Sequence, residues 1–212
     1  MKKLVLTLLF VIIIGGAAFW YFAVFGDAPS AGRPQAMAQK ITLTTSDGKR
    51  ILGDYSGKSD QPAVLMLHMM PATRESWRDF SIKLNDAGFQ ALAIDLRGHG
   101  ESEGGPQGYK RFSDEEHQAS INDVEAAVDF LKSKNSSKLF VAGASIGANL
   151  ALWYAAEHAD TRGIVLLSPG LDYRGVKTEE SAEKLRLGQA VYYVASRDDI
   201  YSADTVDTLS LQ

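Results

Sequence analysis

From position 40 onward, two kinds of apolar spacing alternate along the chain. Ile41, Leu43 and the segment Arg50 to Tyr55 flank Asp47-Gly48. Asp-Gly between apolar runs is a strong hairpin signal, so two antiparallel strands are predicted to open the domain. Ala63 to Leu67 is an unbroken apolar run, the pattern of a strand covered on both faces. The period then changes. Trp77, Phe80, Leu84 and Ala87 recur at helical spacing until Gly88, and Phe89 to Ile94 returns as a second buried strand. Glu115 to Lys134 predicts a helix with Ile121, Val124, Val128 and Leu131 on one stripe, and the strand Leu139 to Ala142 follows. A helix from Ile146 to about His158, a strand Ile164 to Leu167 and a strand Ala190 to Val194 complete the pattern. Such alternation predicts an α/β domain with a doubly wound, mostly parallel sheet, whose ligands gather outside the carboxyl ends of the strands. About 20 residues separate Ser168 from Ala190, too few for a large cap domain.

The first 40 residues follow neither period. Lys2 and Lys3 precede an uncharged run from Leu4 to Phe25. As a helix this run spans roughly 33 Å, enough for a hydrocarbon core of about 30 Å. Trp20, Tyr21 and Phe22 are residues that settle at a headgroup interface, and the two lysines favour the cytoplasmic side. Residues 1–25 are therefore expected to be a signal-anchor, a single transmembrane helix in the cytoplasmic membrane with the remainder extracytoplasmic. The alternative is a secreted protein after removal of a signal peptide, although the one good Ala-x-Ala site, Ala36 to Ala38, lies far downstream. Residues 26–39 (GDAPSAGRPQAMAQ) predict a flexible linker, leaving 40–212 as the folded domain.

Composition narrows the chemistry. The chain of 212 residues has a net charge of −4 and no basic run that could neutralise a row of phosphates, so no nucleic-acid partner is expected. The absence of cysteine rules out disulfides, thiolate metal sites and a Cys nucleophile. No H-E-x-x-H or other metal-ligand spacing occurs, and no metal or other cofactor is expected. What remains is Gly143-Ala144-Ser145-Ile146-Gly147, a G-x-S-x-G pattern between a buried strand (KLFVA) and an Ala/Leu-rich helix (ANLALWYAAEH). In a tight strand-turn-helix the flanking residues must be small for the serine Oγ to project over the sheet edge, so Ser145 is the candidate nucleophile.

With these residues in place, the sequence resembles the α/β-hydrolase family from about Lys40 to its last residue. The resemblance rests on LMLHMMP, DLRGHGES, GASIG and VYYVASRDD, in the family's order. It implies an oxyanion hole built from the backbone N–H groups of Met70 and Ile146, with Met69 standing where the family carries glycine. It implies further that His68 braces its loop, that the Asp95 to Ser102 loop shapes the site's edge, with Asp95 and Arg97 pairing or capping, and that Asp199 is the acid of a triad, with Asp198 in reserve. His117 and His158 fall within helices with no partner spacing, the pattern of solvated or packed residues. The implied activity is hydrolysis of small-molecule acyl esters by a serine esterase with a nucleophile elbow. Dehalogenase- and epoxide-hydrolase-like relatives use Asp as nucleophile, whereas this chain has Ser145.

The triad of this fold runs Ser, acid, His, and no histidine follows Asp199 in the remaining 13 residues. A final strand and helix of the fold are also missing, and SADTVDTLSLQ looks like the start of a helix. The expectation is a C-terminally incomplete domain, inactive alone, whose catalytic histidine lies beyond Gln212. The competing expectation is a binding module that keeps the pocket without the general base.

Overall fold

The computed structural model describes residues 38–211 together with two short strands, Ile13–Ile14 and Ala17–Ala18, paired antiparallel. The predicted transmembrane helix otherwise lies outside the described residues. Among the described residues, no helix is long and apolar enough to cross a membrane. The chain divides into units 1–34 and 35–212, and the fold that follows is that of the second.

Seven strands form the sheet: β1 (Gln39–Thr44), β2 (Arg50–Ser56), β3 (Ala63–Leu67), β4 (Gln90–Ile94), β5 (Leu139–Ala144), β6 (Thr161–Leu167) and β7 (Ala190–Val194). Their order is β7-β6-β5-β3-β4-β2-β1. The five from β7 to β4 are parallel, and the predicted hairpin β1–β2 is added antiparallel along β4. Every residue of β3 and β4 is buried, which explains their unbroken apolar runs: both faces of the central sheet are covered. The chain leaves β3 for β4 on one side and returns to β5 on the other. That reversal creates the crevice at which ligands of open α/β sheets bind.

The helices are α1 (Arg78–Asp86), α2 (Asp114–Gln118), α3 (Ile121–Ser133), α4 (Ile146–Glu157), α5 (Glu179–Glu183) and α6 (Ile200–Leu209). The single helix predicted over Glu115 to Lys134 is in fact two. α2 starts with a capping box between Ser113 and Glu116, and the chain then tightens around Ala119 and Ser120 into i→i−3 bonds, Ser120 N–H to His117 O and Asn122 N–H to Ala119 O, each at 3.1 Å. The apolar stripe lies wholly on α3, where Val124, Val128 and Leu131 are buried, so its spacing could not reveal the break before it. Between β6 and β7 the chain adds a two-residue hairpin, Asp172–Tyr173 with Val176–Lys177, and α5. No cap domain stands there.

Candidate active site

β5 ends at Ala144, α4 begins at Ile146, and Ser145 between them has φ 53° and ψ −122°. A non-glycine residue in such a conformation costs on the order of 1–3 kcal/mol and persists only where its surroundings over-determine it. The flanking glycines show how. A Cβ on Gly143 would lie 2.0 Å from the carbonyl oxygen of Gly147, and one on Gly147 would lie 2.5 Å from that of Leu67 and 2.7 Å from that of His68. Only glycines let strand and helix approach this closely. The Ser145 N–H donates to Leu167 O at 2.8 Å, fixing the turn to the end of β6. α4 is buried almost all round, as its apolar sequence requires, so the elbow stands on an immobile support.

The two predicted oxyanion donors come from adjoining segments. Ile146 is the first residue of α4, and its N–H is one of those that a helix start leaves without an intrahelical acceptor. Met70 follows β3 in a loop that starts against Gly147, since the carbonyls of Leu67 and His68 are the atoms that crowd that glycine. Met69 is outside the positive-φ region, so the loop does not use the freedom glycine would bring there.

His68 is fully buried. Leu96 N–H donates to its Nε2 at 3.0 Å, so its proton sits on Nδ1, which donates to Met69 O at 2.9 Å. Burial pushes its pKa down to about 4, and neighbouring His99 pushes the same way. The ring is thus a neutral brace between the loops after β3 and β4. His99 lies edge-on to it and stacks on Tyr109, with ring centroids 4.3 Å apart. His117 packs edge-on against Phe112, and His158 stacks on Tyr154 at the end of α4. Ser145 is a partner of none of the four histidines of the chain, and His99 Nε2 is buried without a hydrogen-bond partner among the described residues.

Across the sheet, Ala144 is in register with Leu167, and Leu167 with Val194. The carboxyl ends of β5 and β7 therefore lie two strand spacings, roughly 10 Å, apart on one edge. Asp199 follows β7 as the N-cap of α6: Ser202 N–H donates to its Oδ1 at 3.2 Å. Hydrogen bonds from Ser202, joined by the Ser168 side chain, hold its carboxyl below the usual range. Asp198 is exposed, with its N–H directed at Ser196 Oγ.

The loop after β4 carries charge of a different kind. Asp95 is fully buried. It accepts from Arg74 N–H at 2.8 Å, from the Arg74 guanidinium and from Glu101 N–H at 2.9 Å. Arg74 also pairs with Asp54 on β2 and with Glu101. Arg97 meets Asp47 of the hairpin at 2.7 Å and buried Asp123 of α3 at 2.9 Å. It holds the Asp47 carboxyl down at about 2, whereas burial pushes Asp123 up to about 6 against the pull of Arg97. Asp95 and Arg97 do pair, as expected, but with partners that no local spacing indicated. Among the described residues there is no cluster that could hold a metal ion.

The family model described as serine aminopeptidase, S33 (Hydrolase_4) matches residues 58–195 of this chain. The chain belongs to that family. The match spans the elbow and the loop carrying Met70, and it ends before Asp199. Among curated relatives, the uncharacterized protein Rv2307c of Mycobacterium tuberculosis is 28% identical over 156 residues, 70% of this chain and 52% of that protein. Epoxide hydrolase B of the same species is 32% identical over 143 residues, 66% of this chain and 38% of its own. The chain thus spans about half the length, or less, of these relatives. The solved structure of Pyrococcus furiosus esterase Pf2001 superposes with a TM-score of 0.58 at 19% identity, over 82% of this chain and 92% of that one, a likeness of fold alone. The α/β-hydrolase resemblance read from LMLHMMP, DLRGHGES and GASIG is thereby confirmed.

Two residues of this edge escaped the sequence reading. Asn149 is fully buried one turn after Ser145, and Ser168 holds φ 47° at the end of β6. The signal for the first was available: an amide inside an otherwise apolar helix needs buried partners.

Proposed function

We propose that the chain belongs to a serine hydrolase that cleaves ester-type acyl substrates and is held at the cytoplasmic membrane by residues 1–25, with its domain on the extracytoplasmic side. The observation that carries the reading is the strained elbow at Ser145, at the switch point of the sheet and between two candidate N–H donors. A hydroxyl held there attacks a substrate carbonyl as the base takes its proton, and the N–H groups of Met70 and Ile146 take up the oxyanion. Collapse breaks the ester C–O bond and releases the alcohol with that proton, and water then hydrolyses the acyl-enzyme to the free acid and Ser145. Asp199 orients and stabilises the base as it takes the serine proton. In such a triad the base is a histidine, and none of the four in residues 1–212 has Ser145 as a partner. The open edge between β6 and β7 suits small or soluble acyl esters. The relatives that are epoxide hydrolases fit less well, since in this reading the attacking group is a serine. That none of the four histidines has Ser145 as a partner also favours a second reading, a binding module without a base.

The test is one preparation of the full-length protein in its membranes. A fluorophosphonate probe is expected to label Ser145, with labelling and esterase activity both lost in Ser145→Ala, and the protein is expected to stay in the pellet after carbonate extraction. Activity undiminished in Ser145→Ala ends the hydrolase reading. Absence of labelling and activity in the parent protein selects the binding module, and release by carbonate ends the tether.

A further inference from the structure

The carboxylate of Asp199 goes where the first turn of α6 goes. Ser202 N–H donates to its Oδ1 at 3.2 Å, and Ala203 N–H donates to the Asp199 carbonyl at 2.9 Å. Two residues after Asp199, Tyr201 reaches back to the hairpin that follows β6. Its hydroxyl accepts from Asp172 N–H at 3.0 Å and donates to Asp172 O at 3.1 Å. The Tyr201 ring meets the Tyr173 ring edge-on, with centroids 5.7 Å apart, and Tyr173 Oη lies 3.5 Å from Ser202 Oγ. The two rings close on Gly170, where a Cβ would stand 2.6 Å from Tyr173 and 2.7 Å from Tyr201.

The same hairpin is gripped from its other side by the helix behind the nucleophile. Buried Asn149, one turn after Ser145, donates through Nδ2 to Gly170 O at 2.9 Å and to Val176 O at 2.7 Å, and its Oδ1 accepts from Gly170 N–H at 3.1 Å. Thr178 Oγ1 adds a bond to Gly170 O at 3.0 Å. A line of hydrogen bonds outside the sheet therefore runs from α4 through Asn149, the hairpin and Tyr201 to the first turn of α6. Its two ends differ. Asn149 is sealed from solvent, so its bonds are needed for the fold. Tyr201 is 45% exposed, and water can replace its hydroxyl on Asp172 at little cost. Bonds so placed add little stability, and what they do fix is the position of the turn that carries Asp199.

We propose that Tyr201 is a positioning residue of the active site: clasped to the backbone of Asp172, it holds the first turn of α6, and with it the Asp199 carboxylate, in a fixed place relative to the helix that carries Ser145. The inference rests on the serine-hydrolase reading of Ser145 and Asp199. Released from Asp172, the turn shifts more freely and the carboxylate spends less time where the base requires it. Turnover then falls while KM does not change. The base, less well supported by a negative charge, also gives up its proton at lower pH, so the acid limb of the kcat/KM profile moves down.

The experiment is a double-mutant cycle in the full-length protein, made of Tyr201→Phe, Asp199→Asn and the two combined, with Ser145→Ala alongside, using p-nitrophenyl acetate across pH and thermal unfolding. Tyr201→Phe keeps the ring against Tyr173, so it is expected to melt with the parent protein and to lose about threefold to tenfold in kcat, with KM unchanged and the acid limb at lower pH. In the Asp199→Asn background the same substitution is expected to cost nothing further, because the group it positions is gone. A Tyr201→Phe protein that keeps its kcat, that loses melting temperature instead of kcat, or that loses the same factor with and without the Asp199 carboxylate overturns the inference while Ser145→Ala remains inactive. Parental activity in Asp199→Asn removes the acid, and activity surviving in Ser145→Ala removes the hydrolase reading. In either case the role of Tyr201 falls with it.

Discussion

The carboxyl edge of the sheet has two halves that treat charge in opposite ways. Beyond β3 and β4, His68, Asp95, Arg74, Arg97 and Asp123 are all buried, and each is tied to at least one partner from another element. Beyond β6 and β7, Asp199 is half-exposed, Asp198 is exposed, and Ile200 beside them is 69% exposed. The first half uses charge to lock loops together. The second leaves a carboxylate within reach of solvent. On the proposed mechanism, stability and chemistry are separated along one edge, and substitutions on the two sides are expected to divide between loss of fold and loss of turnover.

The largest effect falls in the closed half. Asp95→Ala leaves the Arg74 guanidinium buried without its innermost partner, a type of change that costs about 3–5 kcal/mol. Urea unfolding should register that loss, and a change below about 1 kcal/mol would show that Asp54 and Glu101 suffice for Arg74.

Next comes the pH dependence set by His68. Its folded pKa of about 4 lies below the ordinary 6.5, so the unfolded chain takes up a proton that the native ring refuses. Its contribution is complete above pH 6.5 and is lost as pH falls towards 4, about 3 kcal/mol in all. Asp123, raised to about 6, titrates with the opposite sign in part of that window. The informative quantity is therefore the difference between the parent protein and His68→Asn, in unfolding free energy measured from pH 7 to pH 4. A difference that does not vary with pH would mean that His68 titrates normally.

The smallest effect on stability, and the sharpest contrast, belongs to the open half. Asn caps a helix about as well as Asp, so Asp199→Asn should leave the melting temperature unchanged. On the proposed mechanism it nevertheless lowers kcat by orders of magnitude, since an amide cannot stabilise the imidazolium. A destabilised Asp199→Asn protein with normal turnover would make the residue a cap and nothing more.

What the sequence disclosed divides along similar lines. Apolar spacing located β3, β4 and α4 because burial on both faces writes itself into consecutive residues. The GASIG elbow was legible because steric crowding restricts its glycines locally. The break at Ala119 and Ser120 was not, because two residues of tightened helix leave no mark on the stripe that follows. Nor were the partners of Arg74, Arg97 and Asn149, since their contacts cross 20 to 50 positions and a charged or amide residue looks the same in sequence whether it faces water or a buried acceptor. Ser168 was hidden for another reason: its conformation is imposed by two strand ends, and serine is no signature of positive φ.

The seam between β2 and β4 carries a consequence for the order of folding. The hairpin β1–β2 closes locally, with Thr44 opposite Arg50 across a short turn. Its attachment to the parallel sheet is ladder pairing over Gly53 to Ser56 only, extended by bonds from the loop after β4: Leu52 N–H to Ser102 Oγ at 2.9 Å and Glu103 N–H to Arg50 O at 2.7 Å. Those contacts join residues about 50 positions apart, and the chain entropy of closing so large a loop must be met before any of them forms. The hairpin is thus a unit able to assemble early, whereas its docking on β4 waits on closure of the longer loops.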